Sequence, residues 1–187
     1  MVESGGEVNR VQLTLFTDAL VIRGFARSQA ARVTDILNQV QDTFLVLEDV
    51  VVEEFGDRGQ PIRAAYAQTN LEAVLFAVIE QRGDGAPGMR VVKSPEAAII
   101  SVPPFRITGT IHLLPTGGDL HQGLAALTGR FIPVTDATYW SERVGEARQT
   151  ADVIAVNRHR AQILAPHVEI DPWAVGGGSG GGRPRGS

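Results

Sequence analysis

The stretch AVNRHRAQIL, Ala155 to Leu164, carries Arg158, His159 and Arg160 in succession, the densest basic cluster outside the C-terminal tail. In a turn between strands, three such side chains would face solvent. They could then bind phosphate oxygens or a nucleotide base. Asn157 immediately precedes them and completes the candidate ligand set, although asparagine at such a place also serves simply to shape the turn. The plainer alternative for all four residues is a solvated turn.

Other chemistries find less to work with. Asp49 and Asp136 end equivalent apolar stretches and could form a carboxylate pair for acid–base work or a hard cation. Because they recur with the fold pattern, a structural role at a turn backbone is the expectation, and Asn70 and Asn157 read the same way. His112, His121, His159 and His167 are scattered, with no HExxH frame and no pair at i, i+4, so no metal site is expected. Outside the glycine tail no serine sits in a G-x-S-x-G elbow. Neither GDGAPG nor GGGSGGG has the lysine of a phosphate loop. Arg23 and Arg27 make the R-x-x-x-R half of a cyclic-dinucleotide motif, but no downstream D-x-S-x-x-G completes it. With no cysteine, thiolate chemistry and disulfides are excluded. The residues therefore predict a binding protein with no catalytic residues and no cofactor.

The elements that would position these residues are written twice. FLVLEDV from Phe44 and FIPVTDA from Phe131 share a pattern, and Asp49 matches Asp136 at the same offset of 87. Asn70 and Asn157, Val33 and Leu120, and Leu37 and Leu124 keep that offset, while Gly24 and Gly109 stand 85 apart. Each copy opens with alternation fit for a half-buried strand: Val11, Leu13 and Leu15 in the first, AAIISV in the second. Thr17-Asp18 and Pro103-Pro104 are the expected turns. A second strand follows and is bent at its glycine. Val33, Ile36, Leu37 and Val40 then form one helical face, as do Leu120, Leu124 and Leu127, with Asp119 as N-cap and Gly129 as terminator. Strands over Phe44–Phe55 and Tyr66–Glu80, and over Phe131–Trp140 and Asp152–Pro166, complete the copies.

This grammar predicts an all-β protein with short helices, made of two tandem small barrels from an internal duplication. The expected boundaries are an N-terminal tail 1–9, repeat one 10–81, a linker 82–90, repeat two 91–170 and a disordered Gly-rich tail 171–187. A 187-residue chain that is 43% hydrophobic can bury the cores this requires. Residues 1–85 carry seven Arg or Lys against thirteen Asp or Glu, which argues against general nucleic-acid binding by the first half. The N-terminus lacks a signal-peptide pattern and no apolar run approaches a membrane span, so a cytoplasmic protein without membrane insertion is expected.

VQLTLFTDALVIRGF, Val11–Phe25, resembles the first motif of the Sm-like (LSm/Hfq-type) barrels. DVIAVNRHRAQILAP, Asp152–Pro166, is similar to their second, with Arg158-His159 where those proteins carry Lys-His. The helix between the second and third strands departs from that pattern, and Asn70-Leu71-Glu72 lacks the basic pair. The glycine, RVTDILN and FIPVTDA together also resemble a bacterial domain family with no assigned activity. The resemblance implies paired barrel edges that assemble in rings. The expected function is therefore a bacterial scaffold that self-associates or binds another protein through edge strands. RNA or nucleotide binding at Arg158, His159 and Arg160 is the alternative.

Overall fold

The computed structural model describes residues 8–30, 32–40, 43–56, 60–79, 93–114 and 120–167. The proposed linker 82–90, the tail 171–187, most of the tail 1–9 and Asp119 lie outside them. Ten strands and two short helices make up the described chain: β1 (Asn9–Phe16), β2 (Leu20–Ser28), α1 (Val33–Gln39), β3 (Phe44–Glu54), β4 (Ile62–Asn70), β5 (Phe76–Ile79), β6 (Ser94–Val102), β7 (Phe105–Leu113), α2 (Leu120–Ala125), β8 (Phe131–Ser141), β9 (Glu146–Asn157) and β10 (Ile163–Pro166). The strands join in one continuous antiparallel sheet, ordered β10-β6-β7-β8-β9-β5-β1-β2-β3-β4. Among the described residues its two ends, β10 and β4, pair on one side only.

Each half of the sheet has the same internal order: fifth strand, first, second, third, fourth. The turns follow from local chemistry. Thr17 closes β1–β2, its backbone N–H donating to Leu20 O at 2.9 Å and its hydroxyl accepting from Leu20 N at 2.8 Å. Pro103 and Pro104, joined by a cis peptide, form the two-residue β6–β7 turn. The apolar runs Tyr66–Glu80 and Asp152–Pro166 are not single strands. Each is broken by a short turn, after Asn70 and after Asn157.

The bend in each half has a specific cause. Asp49 and Val50 of β3 stand opposite the single residue Gly24, and Asp136 and Ala137 of β8 stand opposite Gly109. That two-against-one count is a β-bulge, which sharpens twist and curvature. Asp49 and Asp136 hold φ of 49° and 50°. Aspartate enters this left-handed region more readily than most side chains. The two residues therefore lie inside their strands, not at the ends, each at the left-handed position of its bulge. Replacing the exposed Asp136 by Val is expected to lower stability by about 1–2 kcal/mol, because a β-branched residue is strained there. Asp136→Gly should stay within about 0.5 kcal/mol of the parent, relief of strain offsetting the added unfolded-state entropy. Urea denaturation of both variants measures the contrast.

Two cores result. The first is built on Leu13, Leu15, Leu47, Leu71 and Val74, with Val33, Ile36 and Leu37 of α1, and it also takes in Phe131 and Ala155 from the second half. The other is built on Ile100, Phe105, Ile107, Val134 and Ile154 and takes in Phe16, Val21, Leu75 and Phe76 from the first half. Phe16 stacks on Phe76 at 4.4 Å, and Phe76 meets Phe105 edge-on at 5.1 Å and Tyr139 at 5.0 Å. Aromatic contacts of this kind add to the area they bury, so the halves are fused by packing as well as by strand pairing. α2 ends at Ala125; Gly129, expected to terminate it, instead holds φ of 84° beyond the helix, against Asn38.

Candidate interaction edges and the basic turn

The seam between the halves is β5 against β9. Phe76 faces Val156, Ala77 faces Ala155 and Val78 faces Ile154. Two asparagines lock it. Asn157, 1% exposed, donates its side-chain amide to Val74 O at 2.8 Å and to Leu71 O at 3.2 Å, and its backbone N–H donates to Leu75 O at 2.9 Å. Asn38, near the end of α1, clamps the start of β8. Its amide donates to Phe131 O at 2.8 Å and its carbonyl accepts from Phe131 N at 2.9 Å.

The turn after β9 matches the turn after β4 bond for bond. Asn157 Oδ1 accepts from His159 N as Asn70 Oδ1 accepts from Glu72 N. Arg158 N donates to Arg130 O as Leu71 N donates to Thr43 O, and Gln162 N reaches Ser101 O as Leu75 N reaches Phe16 O. The turn that leads into the seam thus carries Leu71, Glu72 and Ala73. The turn that leads to the free edge β10 carries Arg158, His159 and Arg160.

Of the four predicted ligand residues, His159 and Arg160 are exposed and Arg158 is half-buried. Asn157 is buried, with both ends of its amide bonded within the protein, and does not stand with them at the surface. Asp49 and Asp136 are not brought together: four strands separate β3 from β8 in the sheet. Asp49 is paired with Arg10. Arg23 is neutralised by Glu53 at 2.5 Å and Arg27 by Glu48 at 2.7 Å, a hydrogen bond that raises the Arg27 pKa further. His112 meets Thr135 Oγ1 at 2.9 Å, while the backbone of His167 bonds Ala97 beside β10. Among the described residues no group of three His, Asp or Glu could hold a metal ion, and no helix is long and apolar enough to cross a membrane.

The unpaired edges carry apolar side chains in the open. Ile163 at the start of β10 is 56% exposed, whereas Phe76, its counterpart at the start of β5, is fully buried in the seam. On the other flank Tyr66 of β4 is 75% exposed and Phe44 of β3 is 44% exposed, whereas Phe131, the counterpart of Phe44, is 1% exposed. Sequence reasoning did not single out Asn38 or these edge residues. The edges could have been found by asking which copies of the seam residues lack a neighbour. Asn38 left no such trace, since the second half has Ala125 at its place. No protein-family model, curated protein or solved structure matches this chain.

Proposed function

We propose that the chain is a non-enzymatic scaffold module, built of two Sm-like barrels from an internal duplication, that works by adding strands at β10 and β4. The observation that carries this reading is the β5–β9 seam. It shows that a fifth strand and a fourth strand of this sequence pattern join edge to edge, while β10 and β4 are the same two strands left unpaired. An open strand edge is a ready template for another chain. The exposed Ile163 on β10, and Tyr66 on β4 with Phe44 on the adjoining β3, give the two edges apolar flanks.

The second reading is RNA or nucleotide binding, supported by the basic turn at residues 158–160. Light scattering on the full chain with a mixed short-RNA pool, at low and high salt, separates the two. The scaffold reading expects a mass indifferent to RNA. A mass increase with RNA that high salt abolishes, and that Arg158→Ala with Arg160→Ala removes, would replace it with the RNA reading, because phosphate contacts release counterions and weaken steeply with salt.

A further inference from the structure

We infer that the outer face of β3 and β4 is the docking site for a short amphipathic helix of a partner protein, one that presents an aliphatic ridge followed by an asparagine or glutamine. This rests on the non-enzymatic scaffold reading above and names the partner's chemistry, but it uses a sheet face and not a strand edge. The internal duplication supplies the template. α1 lies on the corresponding face of β8 and β9, where Val33, Ile36 and Leu37 share a core with Phe131 and Ala155. Asn38, the next residue of the helix, then grips the Phe131 backbone with hydrogen bonds of 2.8 and 2.9 Å. An aliphatic ridge laid on an apolar surface is a general mode of helix recognition, and the amide adds direction to it.

One repeat earlier the same face stands open among the described residues. Val46 is 52% exposed, and Phe44 and Tyr66 are exposed beside it. The register makes the three contiguous. Phe44 and Val46 alternate along β3, Val46 stands opposite Gln68 and Glu48 opposite Tyr66, so all of them point to one side of the sheet. Leu45 and Leu47 point to the other side, into the core. A contiguous apolar patch of this kind marks an interaction surface more than scattered exposed side chains do.

The backbone at Phe44 carries the second half of the site. Leu71 N donates to Thr43 O, which makes Phe44 and Asn70 a pair that exchanges no backbone hydrogen bonds. The N–H and C=O of Phe44 therefore point away from β4, as those of Phe131 point toward Asn38. β2 does not reach them, since its pairing with β3 stops at Phe25 and Glu48. A donor and an acceptor thus stand side by side at the rim of the apolar patch, in the geometry that a primary amide satisfies at Phe131. The helix of this chain that corresponds to α1 is α2, and it has Ala125 where α1 has Asn38. A second copy would therefore bring a residue with no amide, whereas a partner's helix with asparagine or glutamine there completes the site.

The chain's own α1 supplies the probe. A peptide of residues 32–40, RVTDILNQV, carries Gln39→Lys cross-linked to Asp35 as a lactam, because so short a helix does not hold in water alone. It is titrated into the isotope-labelled full chain and followed by amide chemical shifts. Saturable shifts at Phe44, Val46 and Tyr66 are expected. Asn38→Ala in the peptide should weaken binding about tenfold, the loss of one to two net hydrogen bonds. Val46→Lys and Tyr66→Asp in the chain, both at exposed positions, should abolish the shifts at an unchanged denaturation midpoint. No shifts at millimolar peptide, or shifts confined to Phe131 and Ala155 through exchange with the native α1, overturn the inference. An Asn38→Ala peptide that binds equally well overturns the amide clamp. Shifts at Phe44 and Tyr66 that grow with the concentration of the chain alone overturn it in favour of a second copy. A failed titration leaves strand addition at β10 and β4 standing, because an edge needs no clamp, and the RNA titration tests the scaffold reading separately.

Discussion

Gly109→Ala is expected to destabilise the chain by about 3 kcal/mol, and Gly24→Ala by about 1 kcal/mol, the two ends of the usual range for overpacking. Both glycines face a bulge and an added side chain would be crowded at both, but not equally. A Cβ at position 109 would lie 2.7 Å from Val134 Cγ1, 2.8 Å from Thr135 O and 3.1 Å from Ala137 Cα. Two of those three atoms are backbone, so relief requires the bulge to move and not just a rotamer. At position 24 the nearest atoms, Glu48 O and Leu47 Cβ, are at 3.1 Å, and a shift of a few tenths of an ångström suffices. A loss of about 3 kcal/mol is a large share of the stability of a domain this size. Chemical denaturation of the two variants side by side is the check. Equal losses would mean that the bends are not held by this close approach. A smaller loss at position 109 would mean that the second bulge is the softer one.

The recurrence of these bends is what made the fold readable. Gly24 and Gly109, Asp49 and Asp136, and Asn70 and Asn157 each repeat because a backbone position demands them. A bulge needs a residue without a side chain on one strand and one tolerant of positive φ on the other. A turn needs an amide oxygen to accept a backbone N–H. Such demands survive in sequence as matched letters. Alternation in β1 was legible too, although Thr14 and Phe16 are buried as well as Leu13 and Leu15, since the strand has a neighbour on each side and a core on each face. What the letters did not show is the seam. Phe16 and Phe76 enter the other half's core, and their counterparts are Ser101 and Ile163. A contact made only between the halves has no reason to repeat within them, so comparing copies conceals it. The turn after Asn70 lies within the expected strand Tyr66–Glu80 because the residues of LEAVLF are as apolar as a strand. They are apolar because they pack under the seam. The basic turn was visible at once, but its meaning depends on which edge it leads to, and only the strand order supplies that.

Asn157→Ala is expected to cost about 3 kcal/mol, while Asn70→Ala, the same change one repeat earlier, should cost under about 1 kcal/mol in the isolated molecule, since only a buried group left without its partner carries the full desolvation penalty. Removing the Asn157 amide takes the side-chain donor from Val74 O and Leu71 O and the acceptor from His159 N. The site is 1% exposed, so water does not readily replace those bonds. At Asn70 the loss is one bond to Glu72 N on an exposed turn. Asn157→Asp sharpens the test. Its carboxylate would face two carbonyl oxygens, and burial together with that repulsion would raise its pKa in the folded state above the unfolded value. The folded state then binds more protons, so the variant is least stable at high pH and recovers as pH falls through the raised pKa. Denaturation midpoints of the three variants across acid to neutral pH measure this. If Asn70→Ala instead destabilises the molecule as much as Asn157→Ala at concentrations where it is a monomer, the asparagines hold their own turns alone.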